Sequence, residues 1–426
     1  MTAAVEIKGW CPGARRLMPS GDGLIVRVRP HGGALEVAAL RQLAEAARRS
    51  GNGQIDLTRR ANLQIRGVSP ETLAPVWELM ASLELLDDSA ELEAIRNIVV
   101  NPLAGLDPEE IVDMRPVAAA LERRLVADEG LHALPAKFGF ALDGGGRLPL
   151  TGLAADVRLV GCGQGHERGI AVGVACSDGL IWLGRTAVAE AASVAAKLAA
   201  LVLQRSPTRR SSGLPSHAIA AIGSELGLDA SEQIAGASSS ASQRRLGLIP
   251  LTEQICAVGL GAPFGRIDSE SLAQLAALVS TYGISELRLS PWRTLYVAAN
   301  RSCAEQLIAD AAEIGLIVDD ADPLMRVDAC SGMGCCPSTA LATRQHARML
   351  AGAMARTGFA GSLHVSGCAK GCARSATADV VLVGEGDGYH VVRNGTVKSA
   401  SCGMLDPAGL DLAANELFEA NEKAHV

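Results

Sequence analysis

Residues 23–33 read GLIVRVRPHGG and residues 255–265 read ICAVGLGAPFG; a shift of 232 positions lays Leu24–Val28 over Cys256–Leu260 and Gly33 over Gly265. The alignment continues without a gap. Leu40 and Leu43 fall on Leu272 and Leu275, Gly51 on Gly283, Leu57 on Leu289 and Leu63 on Leu295. Each copy reads as a strand, a helix with apolar residues at helical spacing closed by glycine, and two further short strands. That is half of a ferredoxin-like sheet. A unit of about 45 residues buries little alone, so the two copies are expected to pair about a pseudo-twofold axis.

A second duplication follows. ADVRLVGCGQG (155–165) matches ADVVLVGEGDG (378–388), each a β-rich run ending in glycines. Between the copies, ASEQIAGASSSASQRR (230–245) is small and polar with no apolar period, as a linker requires. The expected class is α+β, fully duplicated: ferredoxin-like half-domain 1 over 1–88, an α/β domain over 89–229, a linker over 230–248, half-domain 2 over 249–322 and a second α/β domain over 323–426.

Composition agrees with a packed globular protein. Of 426 residues 48% are hydrophobic but only 3% aromatic, which leaves the packing to Leu, Ile, Val and Ala. A formal net charge of −7 argues against nucleic acid as a partner, so any cationic site is local. No apolar run approaches the roughly 18 residues of a membrane span, and MTAAVEIKGWCPGARRL lacks the apolar stretch of a signal peptide. A cytoplasmic protein without membrane contact is expected. Its 11 cysteines, an odd number in a reducing compartment, point to metal or reactive thiols and not to disulfides.

ACSGMGCCPSTA (329–340) and HVSGCAKGCA (364–373) bring the thiols together. Cys330, Cys336, Cys368 and Cys372 form C-x5-C followed by C-x3-C, the four-thiolate quota of a [4Fe–4S] cluster. Structural zinc favours tighter knuckles. Gly332, Gly334, Gly367 and Gly371 allow loops to wrap a larger object. By residue type alone, Cys335 competes with Cys336. Of the other six cysteines, Cys162, Cys176, Cys256 and Cys303 read as core.

The cations are patterned too. In LIVRVRP, Val26 and Val28 alternate with Arg27 and Arg29, and in NLQIR, Leu63 and Ile65 alternate with Asn62, Gln64 and Arg66, giving one apolar and one cationic sheet face. The second copy, ICAVGL, has no arginine there, so one anion-binding side is expected. A solvated face is the competing reading for these three arginines. Guanidinium groups bind carboxylates in bidentate pairs.

Together the cysteine spacing, LTRRANLQIRG, IRNIVVNPLAG and LPAKF resemble the nitrite and sulfite reductase superfamily, whose members carry a [4Fe–4S] cluster beside a sirohaem. The resemblance covers nearly the whole chain and prefers Cys336 over Cys335. It implies a sulfite/nitrite-reductase-like fold, with Arg60 and Arg96 as the foremost substrate binders and Lys137, Arg293, Lys370 and Arg374 after them. Two departures weaken a six-electron reductase: Gly139 stands where the reductases place a second lysine, and Ala61 where they keep glutamine. CPGARRLMPSGDGLIVRVRPHGG, LPAKFGFALDGG and SPWRTLYV look more like the oxygen-dependent monooxygenases of aerobic cobalamin biosynthesis. That resemblance implies hydroxylation of precorrin-3A by O2 with γ-lactone closure, and a mononuclear non-haem iron. It also implies an external electron donor, NADH through a reductase or a ferredoxin, because GLGAPFG misses the dinucleotide fingerprint and reads as a tight turn. His364 and His166 are the nearest candidates for iron ligands; no catalytic residue is assigned. A sirohaem-dependent sulfite or nitrite reductase and a non-catalytic Fe–S carrier are the alternatives.

Overall fold

The computed structural model describes residues 12–230 and 245–419. Cys11 and positions 231–244 of the expected linker lie outside the described residues; the linker's last positions do not, because a strand, Gly247–Pro250, already begins there.

The first copy runs through strands Gly23–Val28 and Ala34–Glu36, helix Val37–Ser50, strands Gln54–Leu57 and Leu63–Val68, and helix Leu73–Ser82. The second repeats it with strands Ile255–Gly261 and Arg266–Asp268, helix Ser269–Thr281, strands Glu286–Leu289 and Thr294–Asn300, and helix Arg301–Glu313. Helix Val37–Ser50 buries Leu40, Leu43, Ala44 and Ala47, spaced to line one face. Helix Ser269–Thr281 starts at Asp268, whose carboxylate accepts from the Ser271 backbone N–H at 2.9 Å, and buries Leu272, Leu275, Ala276 and Val279.

The copies pair by exchanging strands. Ala34–Glu36 adds antiparallel to Glu286–Leu289 of the second copy, with Leu35 opposite Leu287. Its repeat equivalent, Arg266–Asp268, adds to Gln54–Leu57 of the first, with Ile267 opposite Ile55. Each sheet thereby gains a fifth strand from the other copy, and a single apolar core joins Val26, Leu40 and Ile65 to Val258, Leu272 and Leu295. The chain is steered into the exchange by a tight turn in each copy. Gly32 (φ 59°) occupies the left-handed position in one turn, and Phe264 (φ 57°) in the GLGAPFG turn.

The two α/β domains are also twins. Strands Ile98–Val100, Phe140–Asp143 and Val157–Cys162 run parallel, and Gly169–Cys176 and Gly179–Thr186 continue antiparallel. Val327–Ala329, Leu363–Ser366 and Ala378–Glu385, then Gly388–Gly395 and Gly403–Leu405, repeat the order and the directions. Helices Arg115–Ala127 and Thr343–Thr357 make the equivalent parallel crossovers. Among the described residues no helix is long and apolar enough to cross a membrane.

Candidate functional site

The sheet of the second α/β domain delivers the cysteines. Cys330 directly follows strand Val327–Ala329 and Cys368 lies two residues beyond its parallel neighbour Leu363–Ser366, so both leave the carboxyl ends of adjacent strands. The Cys330 N–H donates to the Val365 carbonyl (3.1 Å), and the Gly367 N–H donates to Cys330 Sγ at 3.2 Å. Gly332 (φ 67°) and Gly334 (φ 79°) turn the loop back so that the Cys336 N–H reaches the Gly332 carbonyl at 2.9 Å. Burial pushes the Cys372 thiol above its ordinary value; Lys370 opposes this, and Cys368, Cys330 and Cys336 add to it as neighbouring thiols. Cys330, Cys336 and Cys368 are thus the thiols whose charge Cys372 feels. Cys335 is engaged elsewhere: its Sγ lies 3.6 Å from Arg266 Nη1.

The twin domain shows what stands at the matching positions. Strand registers match across the duplication, Phe140 opposite Val157 and Leu363 opposite Val380, and residues 140–156 align over 363–379 without a gap. Gly145 and Pro149 thus stand at the positions of Cys368 and Cys372, and Asn101 at that of Cys330. Asn101 Nδ2 donates to Asp143 Oδ1 (3.2 Å) and to the Leu148 carbonyl (2.7 Å), closing that end of the sheet with hydrogen bonds.

The cationic sheet face is buried, not solvated: Arg27, Arg29 and Arg66 are 6%, 3% and 6% exposed. Arg29 and Arg60 both donate to Asn97 Oδ1, at 2.7 and 3.1 Å, and Arg60 also reaches the Ala136 carbonyl at 3.1 Å. Asn97 Nδ2 donates to the Ala94, Ala136 and Phe138 carbonyls. It ties three sequence motifs into one wall: the loop of Arg60, the Arg96–Asn97 turn and the segment carrying the exposed Lys137. Gly139 is not glycine for want of room, since an added Cβ would meet nothing closer than 3.8 Å.

Arg96 and Arg66, two of the expected substrate binders, are both paired within the chain. Arg96 forms a bidentate pair with Asp87 (2.9 and 2.8 Å), and Arg66 is held by Asp22 (3.1 and 2.7 Å) and Ser20. Their bidentate faces are spent inside the chain. Arg293 and Arg374 are joined by Arg59, which sequence reasoning passed over; all three contact Asp328. Lys370 is exposed on the cysteine loop.

His166 and His364 are not brought together. His166 sits exposed in the turn Gly165–Glu167 of the first α/β domain. His364 is fully buried on strand Leu363–Ser366. Burial lowers its pKa to about 4, with Asp328 opposing and Arg374 and Arg59 reinforcing. Among the described residues, no three His, Cys, Asp or Glu side chains are grouped as they are around a single ion. Four cysteine thiolates are the number that a four-iron cluster takes. The core reading holds for Cys162, Cys176 and Cys256, whereas Cys303 is only half-buried.

Comparison with known proteins gives a consistent answer. The nitrite/sulfite reductase ferredoxin-like half domain matches residues 16–83 and 251–301, the two exchanged copies. The nitrite and sulphite reductase 4Fe-4S domain matches residues 91–185, the twin without the cysteine quartet. A precorrin-3B synthase from a Sinorhizobium species is 33% identical over 98% of this chain and 89% of its own. A ferredoxin–nitrite reductase from Synechococcus elongatus is 26% identical over 84% of this chain and 76% of its own. The solved NirA protein of Mycobacterium tuberculosis superposes with a TM-score of 0.72 at 20% identity, covering 92% of this chain and 79% of that one, a likeness of fold.

Proposed function

The chain belongs to the nitrite and sulfite reductase family, and on that premise we propose that it is a precorrin-3B synthase, an oxygen-dependent hydroxylase of precorrin-3A in aerobic cobalamin biosynthesis. The observation that carries this reading is the 33% identity to a precorrin-3B synthase sustained over 98% of the chain. The site supports it. Gly139 could accept a side chain yet has none, which leaves Lys137 without the second cation that suits sulfite, while guanidiniums suited to carboxylates line the junction of the domains.

In this reading Cys330, Cys336, Cys368 and Cys372 hold a [4Fe–4S] cluster, and Cys335 stays outside it on Arg266. The cluster supplies one-electron storage and relay. A mononuclear iron, the other group that dioxygen chemistry calls for, finds no ligand set among the described residues. The chain's own contribution is binding and orientation. Arg60, fixed by Asn97 and the Ala136 carbonyl, presents its remaining donors beside the exposed Lys137, and Arg29 stiffens the same asparagine from within. The reaction balances with one atom of O2 in the product and the other in water. Two electrons arrive from an external donor, a nicotinamide through a reductase or a ferredoxin, and a ring acetate closes the γ-lactone.

Protein purified without air and mixed with precorrin-3A, O2 and reductant should be brown, lack sirohaem bands and yield a product heavier by one oxygen. Sirohaem bands with sulfite or nitrite reduction and no tetrapyrrole turnover would replace this reading with the reductase one. For the cluster, Cys372→Ser should lose iron and sulfide, whereas Cys335→Ser should keep both.

A further inference from the structure

Three guanidiniums meet one carboxylate where both halves of the repeat reach the cysteine-bearing domain. Arg59 Nη2 lies 3.1 Å and Arg293 Nη1 3.4 Å from Asp328 Oδ1, and Arg374 Nη1 lies 3.2 Å from Oδ2. The convergence is a product of the duplication. Loops 58–62 and 290–294 are repeat equivalents, each turning through one left-handed residue, Ala61 (φ 51°) and Arg293 (φ 61°), and each sends one arginine to Asp328. Three positive charges thus face one negative. The Asp328 side chain is 13% exposed, while those of Arg59, Arg293 and Arg374 are 57%, 22% and 25% exposed, so the cations have a side open to an incoming anion.

The neighbour on the strand is as informative. His364 pairs with Asp328 in the parallel register, which puts both side chains on the same face of the sheet. His364 is fully buried, and neither ring nitrogen has a hydrogen-bond partner. Leaving a buried polar group unpaired costs free energy that folded proteins avoid. The carboxylate beside it is turned to the arginines instead.

We propose that Asp328 is a placeholder: it occupies a subsite that Arg59, Arg293 and Arg374 build for a peripheral carboxylate of the substrate, and when that carboxylate binds, Asp328 is released to accept from His364. The proposal rests on the tetrapyrrole reading above and names one of its contacts. No bond is made or broken; one carboxylate replaces another on the guanidiniums.

The test is anaerobic equilibrium binding of precorrin-3A to the protein with its cluster in place, read by the tetrapyrrole spectrum. Arg59→Met should weaken binding roughly tenfold, with Arg59→Lys recovering part of it. Asp328→Asn should act in the opposite direction and tighten binding roughly fivefold, because it removes the resident competitor. His364→Phe should bind more weakly yet unfold at a higher temperature, since it deletes an orphaned polar group and also the acceptor's destination. Iron and sulfide content monitors the cluster, two residues from Asp328. If Asp328→Asn loses the cluster, the opposed signs expected of His364→Phe decide the matter. Wild-type binding that none of these changes alters overturns the subsite alone. A wild-type protein that holds its cluster but ignores precorrin-3A overturns the substrate, and the subsite with it.

Discussion

Asp56 is where three parts of the chain lean on one carboxylate. Arg266, on the strand donated by the second copy, grips it at 2.5 and 2.9 Å, with Arg66 at 3.6 Å and Arg344 of the crossover helix at 3.9 Å. Burial pushes the Asp56 carboxyl up, but the hydrogen bonds and charge of Arg266 outweigh it and hold it below the ordinary value. Desolvation lowers Arg344 to about 10, with Arg266 adding to the effect. A depressed carboxyl stabilises the fold fully above the unfolded value of about 3.9 and loses that contribution as pH falls through the folded one. Asp56→Asn should therefore cost about 3 kcal/mol at pH 7 by stranding Arg266. Below pH 4 the gap to wild type in thermal unfolding should narrow; a gap that stays constant with pH would deny Asp56 this part. None of this was visible in the sequence. The thiols were legible because their spacing is a pattern, and Arg60 because its loop matches a motif. A lone Asp whose partner stands 210 residues away carries no signal, and Asp328, reached by Arg59 from 269 residues away, went unread for the same reason.

At the scale of elements, the long pieces were readable and the short ones were not. Helices Val37–Ser50 and Ser269–Thr281 announce themselves by apolar spacing, and strands Val157–Cys162 and Ala378–Glu385 by the β-rich runs that match across the duplication. The exchanged strands, Ala34–Glu36 and Arg266–Asp268, have three residues each, too few to show a period. What places them is the turn before each. At position 32 that turn uses glycine at φ 59°, with nothing within 4 Å of an added Cβ, so Gly32→Ala meets no clash and isolates the backbone term. The substitution should cost about 1 kcal/mol, the strain of a left-handed alanine. Urea unfolding would check it, and an unchanged midpoint would mean that the turn relaxes freely. In the second copy Phe264 bears that backbone strain while its buried ring packs in the cysteine-bearing domain's core, under the Arg348 guanidinium at 5.7 Å. The repeat has traded backbone ease for an anchor between domains.

At the scale of the molecule, strand exchange makes the two halves mutually dependent. Without residues 266–268 the edge of Gln54–Leu57 is unpaired, and without residues 34–36 so is that of Glu286–Leu289. The core common to both copies would also open to water. An exposed edge beside an opened core invites association. Fragments 1–230 and 245–426, expressed separately, should each be aggregated or non-cooperative in unfolding, although Cys330, Cys336, Cys368 and Cys372 all lie in the second. Expressed together, they should assemble into one monomer-sized complex, because the edges and core faces remain complementary when the chain is cut in 231–244. Size-exclusion chromatography with thermal unfolding reads the outcome, and iron content reports whether the cysteine loops re-form. A fragment 245–426 that is monomeric and melts cooperatively by itself would show that the exchange decorates two independent halves. The dependence reaches the arginine cluster too: Asp328 in the second half is gripped by Arg59 from the first and Arg293 from its own, so this grouping of charges exists only when both halves are present.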